Sequence, residues 1–480
     1  MDFKLLIPSA GLGTRLGKSY KNLNKALVSV DNKPVISHLI EKFSNEIEIV
    51  IALGHKGNLV KDYLELAHPN SKFNFVFVDN YFGKGSGLGY SILCCKEKLQ
   101  SPFIFAPNDT IILQEIPKPE YNWVGYGDDK LDDNYRSIIV NNNNVERIIE
   151  KKKRIDPNQK PYIGLAGIKD YELFWSYMDS GREFGSISIG ESYVLEKFIS
   201  NGMNLKGIKF DWHDTGNLDS LRIAREKLIS HDSPEILDKP NEAIWFVSGK
   251  AIKYCSDTSF IKNRVKRAEI LEGFVPNIVK SRENMYSYNL IAGKTLSKTS
   301  NKVIFSRLLE FLHTFWEKKD LLRDQEKNFR NSCLDFYKTK TYKRVTLFFN
   351  RFEEEDGEEI INGIKIPTIK EILKSIDWEF LSCGVPRRIH GDLHFENIIL
   401  NDSGEFSLLD WRQDFANILD YGDLYYDLSK LMHGLIISHE MINNNNYNFQ
   451  KTEDIVSFDF LRKNALVDNE LDFLKYLKNE

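Results

Sequence analysis

The first 110 residues alternate short apolar segments with segments of helical periodicity, and this alternation restricts the fold more than any other feature of the chain. Such a pattern is typical of parallel strands joined by helices. The predicted strands are Phe3–Ile7, Glu46–Leu53, Phe73–Val78 and Phe103–Ala106, and the predicted helices are Pro34–Phe43, Asn58–Ala67 and Leu88–Leu99. Because right-handed crossovers place the loops after the strands along one edge, we expect a ligand site at that edge.

The segment from Trp123 to Leu165 changes to short β-type runs. Its polar tract Asn141–Asn144 is interpreted as a turn between the strands Ser137–Val140 and Val145–Ile149. A hairpin adds antiparallel strands, so the sequence predicts an α/β domain with a mixed, mainly parallel sheet.

A break in the pattern divides the chain, whose 480 residues are enough for two to four domains. Polar residues and two prolines interrupt it near residues 230–240, with the sequence SHDSPEILDKP. Residues 243–254 are β-like, and the chain is predicted to be mostly helical from Phe260 onward. The predicted domains are therefore residues 1–234 and 240–480.

Composition excludes several classes of protein. The formal charge of −4 gives no basic field for nucleic acid, and no run of 18 apolar residues predicts a membrane span. The N-terminus lacks the pattern of a signal peptide, and the five cysteines form no CxxC motif. We therefore expect a cytoplasmic protein with reduced thiols and no zinc site.

A glycine-rich loop follows the first predicted strand, with the sequence AGLGTRL at residues 10–16. Its backbone N–H groups can approach phosphate oxygens closely, and Arg15 adds a forked cation. Lys25 lies twelve residues after Gly13 and supplies a second cation near the same edge. A tight turn without a ligand would explain the loop alone about as well.

Two acidic residues lie far apart in sequence, each near a turn. Asp109 follows the apolar strand in FIFAPND, and Asp214 lies in WHDTG. Two such carboxylates can hold one Mg²⁺ through their oxygen atoms, although either could instead cap a turn.

These motifs resemble those of the sugar-phosphate nucleotidyltransferase family, including its cytidylyltransferases, over roughly residues 1–230. The resemblance implies a Rossmann-like nucleotidyltransferase domain that uses CTP or UTP. It also implies that Ala10, Gly11, Gly13, Thr14, Gly85 and Ser86 hold the NTP, that Lys25 and Arg15 act on its phosphates, that Asp109 and Asp214 bind Mg²⁺, and that Glu150, Lys151 and Gly164 contact the acceptor. Asn24 stands where the family commonly has proline, and Asn108 where glycine is common.

A second set of polar residues occurs at 390–397, which read HGDLHFEN, followed by Asp410 at the end of an apolar run. The spacing matches the kinase pattern of a catalytic Asp, an Asn and a later metal-binding Asp. By this pattern, Asp392 would accept the proton of the acceptor hydroxyl, and Asn397 and Asp410 would bind Mg²⁺.

This second half resembles the aminoglycoside phosphotransferase and choline kinase family over roughly residues 240–440. The resemblance implies a protein-kinase-like α+β domain. In that domain Lys253, Tyr288 and Ile291 would bind ATP, the last two within the hinge-like segment Tyr288–Gly293.

The combination predicts a bifunctional enzyme that uses ATP to phosphorylate a sugar or polyol and then links the product to a nucleotide, for surface polysaccharide (capsule) synthesis. One alternative is a choline kinase fused to a phosphocholine cytidylyltransferase. An alternative of another class is a non-catalytic regulatory or sensor protein built on these folds. The sequence leaves the oligomeric state open.

Overall fold

The computed structural model describes residues 2–17, 20–128, 135–151, 153, 156–230, 236, 239–452 and 455–479, without the side chains of residues 439, 440 and 479. The chain divides into two compact units. The first consists of Met1–Asp257 and Lys280–Ser287, and the second of Thr258–Val279 and Tyr288–Glu480. The boundary predicted between residues 234 and 240 falls partly outside the described residues and stays a prediction.

A nine-stranded sheet forms the centre of the first unit, in the order β5-β4-β1-β6-β11-β8-β12-β10-β9. Its strands are β1 (Lys4–Ser9), β4 (Glu48–Leu53), β5 (Lys72–Phe77), β6 (Phe103–Phe105), β8 (Trp123–Tyr126), β9 (Ser137–Asn141), β10 (Asn144–Ile149), β11 (Lys160–Ile168) and β12 (Lys206–Lys209). Strands β5, β4, β1 and β6 are parallel, whereas β11 runs antiparallel to both of its neighbours β6 and β8. The sheet is mixed, as predicted, with four parallel and five antiparallel strand pairings among the described residues, and the fold is Rossmann-like α/β.

Helices cover both faces of this sheet. They are α1 (Val35–Ile40), α2 (Gly57–Ala67), α3 (Leu88–Cys94), α4 (Tyr171–Ser180), α5 (Ser186–Ile189), α6 (Glu191–Ser200) and α7 (Leu218–Leu228). Side chains alternate across a strand, so Leu5 and Ile7 join one buried core, with α1 and α2, while Leu6 joins the other, with α3, α4 and α6. Burial on both faces explains why the central strands are continuously apolar.

The first unit also contains two short two-stranded pairings. Strand β2 (Ser29–Val30) pairs with β3 (Lys33–Pro34), and β7 (Thr110–Ile112) pairs antiparallel with β13 (Trp212–Asp214). The predicted hairpin is present as β9 and β10, and its turn residues Asn142 and Asn143 both adopt positive φ, as type I′ turns require.

A four-stranded sheet follows, in the order β14-β15-β17-β16, and the division between the two units falls within β16 and β17. The strands are β14 (Glu242–Val247), β15 (Lys250–Cys255), β16 (Ile278–Ser281) and β17 (Met285–Asn289). Trp245 on β14 is fully buried, and its ring packs edge-on against Tyr63 of α2 with 5.0 Å between ring centroids. This burial attaches β14 and β15 to the first unit, although the sequence pattern grouped them with the second domain.

The second unit is mainly helical but contains more strands than the sequence predicts. Its helices are α8 (Thr258–Ile270), α9 (Leu296–Thr299), α10 (Lys302–Phe315), α11 (Arg323–Leu334), a π-helical turn at Asp335–Thr339, α12 (Lys340–Phe352), α13 (Ile369–Ser375), α14 (Trp378–Leu381), α15 (Leu424–Ile436), α16 (His439–Asn443) and α17 (Asn464–Asn479). Its strands are β18 (Lys294–Thr295), β19 (Glu359–Ile361), β20 (Ile364–Ile366), β21 (Pro386–Arg387), β22 (Ile398–Leu400), β23 (Phe406–Leu408), β24 (Gly422–Asp423), β25 (Tyr447–Thr452) and β26 (Ile455–Phe460).

Two features of this unit differ from the sequence pattern. The amphipathic segment Lys370–Leu381 forms parts of two helices, because the Asp377 side chain accepts a hydrogen bond from the backbone N–H of Phe380 and starts a new helix. The sheet β20-β19-β26-β25 was not predicted, and two of its strands, β19 and β20, have only three residues each, too few to show a periodicity. Its Asn362-Gly363 turn, with both φ angles positive, is the signal that could have revealed it.

Within the described residues, no helix is long and apolar enough to cross a membrane.

Candidate functional site

The glycine-rich loop leaves the end of β1 and packs onto Lys25. Gly13 adopts φ +68°, and a Cβ placed on it would lie only 3.2 Å from the Cβ of Lys25. A side chain at position 13 would therefore be strained and would press on the lysine. A Cβ at Gly11, in contrast, would meet nothing within 4 Å. The loop is thus packed against Lys25 at Gly13, whereas it is open at Gly11.

Asn24 fixes the start of the turn that carries Lys25. Its side-chain amide donates hydrogen bonds to the carbonyl oxygens of Ser9 (3.1 Å) and His55 (2.7 Å), and its Oδ1 accepts one from the N–H of Ala26 (2.9 Å). Asn24 is 1 % exposed. The residue that departs from the family's proline therefore ties the ends of two parallel strands to the lysine, a positioning role that the sequence alone did not reveal.

Replacing Asn24 by Ala is expected to lower the free energy of unfolding by about 1–3 kcal/mol, because it leaves buried backbone groups without hydrogen bonds. Urea denaturation followed by circular dichroism measures this loss. The matched control is Asn22→Ala: the Asn22 side chain donates a hydrogen bond to the Asn241 side chain at the surface, and its removal should change stability by less than about 0.5 kcal/mol. Equal effects of the two substitutions would contradict the positioning role.

Asp109 lies beside both cations of the loop region. Its Oδ2 is 3.0 Å from Lys25 Nζ and 3.9 Å from Arg15 Nη2. Burial would raise the pKa of Asp109, but the neighbouring positive charges of Lys25 and Arg15 outweigh burial and hold that pKa below its ordinary value. Asp109 is therefore an ionised carboxylate at neutral pH.

Backbone pairing brings Asp214 to the same place. Asp214 on β13 is paired with Thr110 on β7, and the N–H of Thr215 donates to the carbonyl oxygen of Asp109 at 2.9 Å. A Cβ placed on Gly216 would lie 3.1 Å from Asp214 Oδ1, 3.2 Å from Asp109 Oδ2 and 3.4 Å from Arg15 Nη2. The two carboxylates and the guanidinium thus surround one small space, which we call the first site, and glycine keeps it open.

Asn108, the second departure from the family pattern, is buried next to this space. Its side-chain amide donates to Ser9 Oγ at 3.0 Å, which connects the residue before Asp109 to the end of β1. Its Oδ1 has no hydrogen-bond partner among the described residues. Asn108 therefore connects two strand ends beside the first site and adds no charge there.

The first site offers oxygen ligands of the kind that Mg²⁺ prefers. Asp214 Oδ2 accepts a hydrogen bond from the Tyr135 hydroxyl at 2.8 Å, and its Oδ1 accepts one from the N–H of Gly216 at 3.0 Å, so the carboxylate is held in a fixed orientation. In the part of the chain that is described, no three His, Cys, Asp or Glu side chains cluster in a way that could hold a metal. Two carboxylates plus phosphate oxygens of a bound nucleotide fit the usual environment of Mg²⁺.

Of the three residues expected to contact the acceptor, Glu150 and Lys151 follow the end of β10, and Gly164 lies on β11. Glu150 Oε1 is 3.0 Å from Arg136 Nε. Lys151 is exposed, yet its pKa is lowered, first by partial desolvation and then by the positive charges of Arg136 and Arg15. Gly164, at φ +76°, lies against Pro107, because its Cβ would be 3.2 Å from Pro107 Cγ. Lys151 is within electrostatic range of the first site, and Gly164 flanks the segment that leads to Asp109.

Gly85 and Ser86, expected to bind the nucleotide base, form a turn just before α3. Gly85 adopts φ +81°, and Ser86 Oγ donates to the carbonyl oxygen of Gly83 at 2.7 Å. The next glycines have a structural role: a Cβ on Gly89 would lie 1.8 Å from the carbonyl oxygen of Ser186. Small residues here allow α3 to pack closely against α5.

In the second unit, Asp392 lies in a loop between β21 and β22. Its Oδ1 is 2.9 Å from Lys430 Nζ, and its Oδ2 is 3.6 Å from His394 Nε2. Burial would raise the pKa of Asp392, but these two partners lower it well below the ordinary value. His394 also contacts Glu396, and hydrogen bonds to the two carboxylates outweigh burial and raise its pKa to about 9. Asp392 is therefore negative and His394 positive at neutral pH.

Two buried side chains hold the loop that carries Asp392 in place. Asp427 accepts hydrogen bonds from the N–H groups of His390 (2.8 Å) and Gly391 (2.7 Å). Arg267 on α8 is 2 % exposed and donates to the carbonyl oxygens of Ile389 and Arg412. Sequence reasoning did not single out Arg267, because nothing in its local pattern marks a buried arginine.

Asn397 and Asp410 lie next to each other across a backbone hydrogen bond. The carbonyl oxygen of Asn397 accepts from the N–H of Leu409 at 2.7 Å, and its side-chain amide donates to the carbonyl oxygen of Asp392 at 2.9 Å. That orientation leaves Asn397 Oδ1 as the atom that could bind a metal. Asp410 adopts φ +56°, an uncommon angle for a non-glycine residue, and pairs with Arg264. We call the space between Asp392, Asn397 and Asp410 the second site.

The expected ATP-binding residues are distributed over the strands. Lys253 lies on β15 in the first unit and is 7 % exposed. Tyr288 is buried near the end of β17, and Ile291 is half-buried just beyond that strand. Their role in binding ATP stays a prediction.

Comparisons with known proteins concern the N-terminal half. The chain is 26 % identical over 244 residues to the bifunctional protein GlmU of Methanococcus vannielii, covering 48 % of this chain and 56 % of that protein. It is 25 % identical over 256 residues to the bifunctional protein GlmU of Methanocaldococcus jannaschii, covering 52 % and 59 %. The chain spans about half the length of the curated relatives it matches. No protein-family model matches.

Two solved structures also align with part of this chain. CTP:phosphocholine cytidylyltransferase from Streptococcus pneumoniae aligns over 48 % of this chain and all of its own, with 21 % identity and a TM-score of 0.40. A UDP-glucose pyrophosphorylase complexed with UDP-glucose aligns over 47 % of this chain and 98 % of its own, with 18 % identity and a TM-score of 0.41. By sequence, the N-terminal half is similar to proteins named GlmU.

Proposed function

We propose that this chain is a bifunctional enzyme. The second unit would transfer the γ-phosphoryl group of ATP to a hydroxyl compound, and the first unit would transfer a nucleotidyl group from CTP or UTP to the phosphorylated product. The observation that supports the proposal most strongly is the convergence of Asp109, Asp214 and Arg15 around the Cβ position of Gly216. The expected product is a nucleotide-activated sugar or polyol, of the kind used for surface polysaccharides.

In the first site, a phosphate oxygen of the acceptor would attack the α-phosphorus of the NTP. A new phosphoanhydride bond forms, the bond between the α- and β-phosphates breaks, and pyrophosphate leaves. Both reactants are anions, so Lys25 and Arg15 would offset their repulsion and align the phosphates. Asp109 and Asp214 would hold Mg²⁺, which when bound neutralises phosphate charge. No protein base is needed, because the acceptor phosphate is already ionised near neutral pH.

In the second site, the acceptor hydroxyl oxygen would attack the γ-phosphorus of ATP, and ADP would leave. Asp392 is ionised and can accept the hydrogen bond, and then the proton, of that hydroxyl group. Asn397 and Asp410 would hold Mg²⁺ on the nucleotide. Arg267 and Asp427 keep the loop in place through backbone hydrogen bonds, so the base does not have to be ordered when substrate binds.

The test uses the full chain with ATP, Mg²⁺, each NTP in turn and a mixture of sugars, polyols and choline, analysed by mass spectrometry. We expect a nucleotide-linked product whose formation requires ATP, an NTP and one class of acceptor. Omitting ATP and supplying a phosphorylated acceptor should preserve the second reaction alone. Absence of any nucleotide-linked product under both conditions would refute the proposal and favour a regulatory protein.

A further inference from the structure

A group of positively charged side chains lies near Asp392 in the second unit. Lys340 and Arg344 lie on α12, Arg412 follows β23, and Lys430 lies on α15 next to Asp392. We call these four residues the cationic cluster. They come from three separate segments, and all belong to the second unit.

Aromatic rings connect three of the four members of the cluster. Lys340 Nζ lies 4.0 Å from the centre of the Phe336 ring and 5.3 Å from that of Tyr426. The Arg412 guanidinium lies 5.0 Å from the centre of the same Phe336 ring, and Lys430 Nζ lies 5.8 Å from that of Tyr426. The cations therefore share two ring faces and are close enough to repel one another.

Positive charge exceeds negative charge around Asp392. Lys430 already pairs with Asp392, and Glu396 already pairs with His394. Within the described residues, Lys340, Arg344 and Arg412 have no ion pair with a carboxylate, and the Nε of Arg412 is buried without a hydrogen-bond partner. The pKa of Lys340 falls to about 7, first because it is desolvated and then because Arg412, Arg344 and Lys430 repel its charge.

A surplus of partly desolvated like charges destabilises a fold unless an anion compensates it. Proteins retain such a surplus of positive charge where ligand binding requires it, because functional sites often sacrifice some folding stability. The same arrangement is unsuited to a quaternary ammonium group, because that group needs aromatic faces that are not already covered by cations.

We propose that the phosphoryl acceptor of the second unit itself carries an anionic group, a phosphate or a carboxylate, which the cationic cluster binds beside Asp392. This inference rests on the proposed kinase function for the chemistry, but the anion site can be tested without it. The acceptor is then a hydroxyl compound with one negatively charged end, and choline is excluded as a substrate.

Kinetics of ADP release by the full chain test the choice of acceptor. The assay compares glycerol with glycerol 3-phosphate, glucose with glucose 6-phosphate and glucuronate, and choline. We expect the anionic members to have a kcat/KM at least about tenfold above their neutral partners, the value of one charge-assisted hydrogen bond. The comparison of glucose 6-phosphate with glucuronate shows whether a phosphate or a carboxylate is the preferred anion. Preference for neutral acceptors or for choline would overturn the inference.

The variant Lys340→Met tests the cluster itself. It should raise KM for the anionic acceptor about tenfold, leave KM for ATP unchanged, and keep or raise the melting temperature, because it removes like-charge repulsion. The matched control is Lys338→Met, because Lys338 is an exposed lysine on the preceding π-helical turn. This substitution should change none of these values. A rise in KM for ATP alone would assign the cluster to the nucleotide and overturn the inference.

A binding measurement separates failure of the anion site from failure of the kinase proposal. Equilibrium dialysis of labelled inorganic phosphate compares the wild type with Lys340→Met and with Lys25→Met, which alters the first site. We expect Lys340→Met to lose a phosphate site that Lys25→Met retains. If the wild type phosphorylates nothing but shows this pattern, the anion site stands and the kinase proposal fails. If Lys340→Met binds as much phosphate as the wild type, the anion site is refuted.

Discussion

Replacing Asp392 by Asn is expected to slow ATP-dependent phosphorylation by roughly 10²–10⁴-fold, the usual contribution of a positioned base. The substitution keeps the shape of the side chain but removes the negative charge that faces Lys430 and His394. The amide cannot take up the proton of the acceptor hydroxyl. Initial rates of ADP formation, with the acceptor found in the product screen, measure the effect on kcat.

Two comparisons make this result specific to the second site. Pyrophosphate release from an NTP and a phosphorylated acceptor should continue at the wild-type rate in Asp392→Asn, because the first site is unchanged. Asp402→Asn, which alters an exposed carboxylate in the loop between β22 and β23, should leave both activities intact. Normal ADP formation by Asp392→Asn would refute the assignment of the base.

Replacing Asp109 by Asn is expected to reduce NTP-dependent pyrophosphate release by at least about 10³-fold, because loss of metal-assisted charge stabilisation costs several kcal/mol in the transition state. Asp109 is the carboxylate that contacts both Lys25 and Arg15. Its removal therefore takes away a metal ligand and leaves two cations without their fixed partner. A coupled phosphate-release assay with pyrophosphatase measures the rate.

The control for this substitution is another carboxylate that pairs with two cations. Asp128 contacts Lys160 and Lys209 at the surface of the same unit, with its side chain 50 % exposed. Asp128→Asn should leave pyrophosphate release unchanged, since exposed ion pairs contribute little. ATP consumption should persist in both variants. Parallel loss of pyrophosphate release and ATP consumption in Asp109→Asn would contradict two independent sites.

Several features of the fold were readable from the sequence because they depend on neighbouring residues. The strand Phe103–Ala106 and the helix Asn58–Ala67 correspond to β6 and α2 within one or two residues, since alternation and helical periodicity are local patterns. The Asn-rich turn after Ser137–Val140 also follows local rules, because asparagine tolerates positive φ. The assignment of β14 and β15 was not readable in this way, because it depends on the burial of Trp245 against Tyr63.

The candidate sites, too, were predictable from the sequence only in part. Asp109, Asp214, Asp392 and Asp410 were recognisable from short motifs, but their partners were not. Asn24 and Arg267 act through backbone groups of distant segments, and no local pattern marks such contacts. The surplus of positive charge around Asp392 was equally hidden, because Lys340, Arg412 and Lys430 meet only through packing on Phe336 and Tyr426.

By itself, the sequence determined which side chains can carry charge, bind phosphate or hold a metal ion, and where strands and turns place each of them along the chain. Only the tertiary structure decided which of these groups share a space and which charges remain uncompensated there. The physical reason is the distance along the chain over which each effect acts. Periodicity and turn preference depend on residues that are only a few positions apart. Electrostatic and packing energies instead depend on distances between segments, which the chain fixes only when it folds.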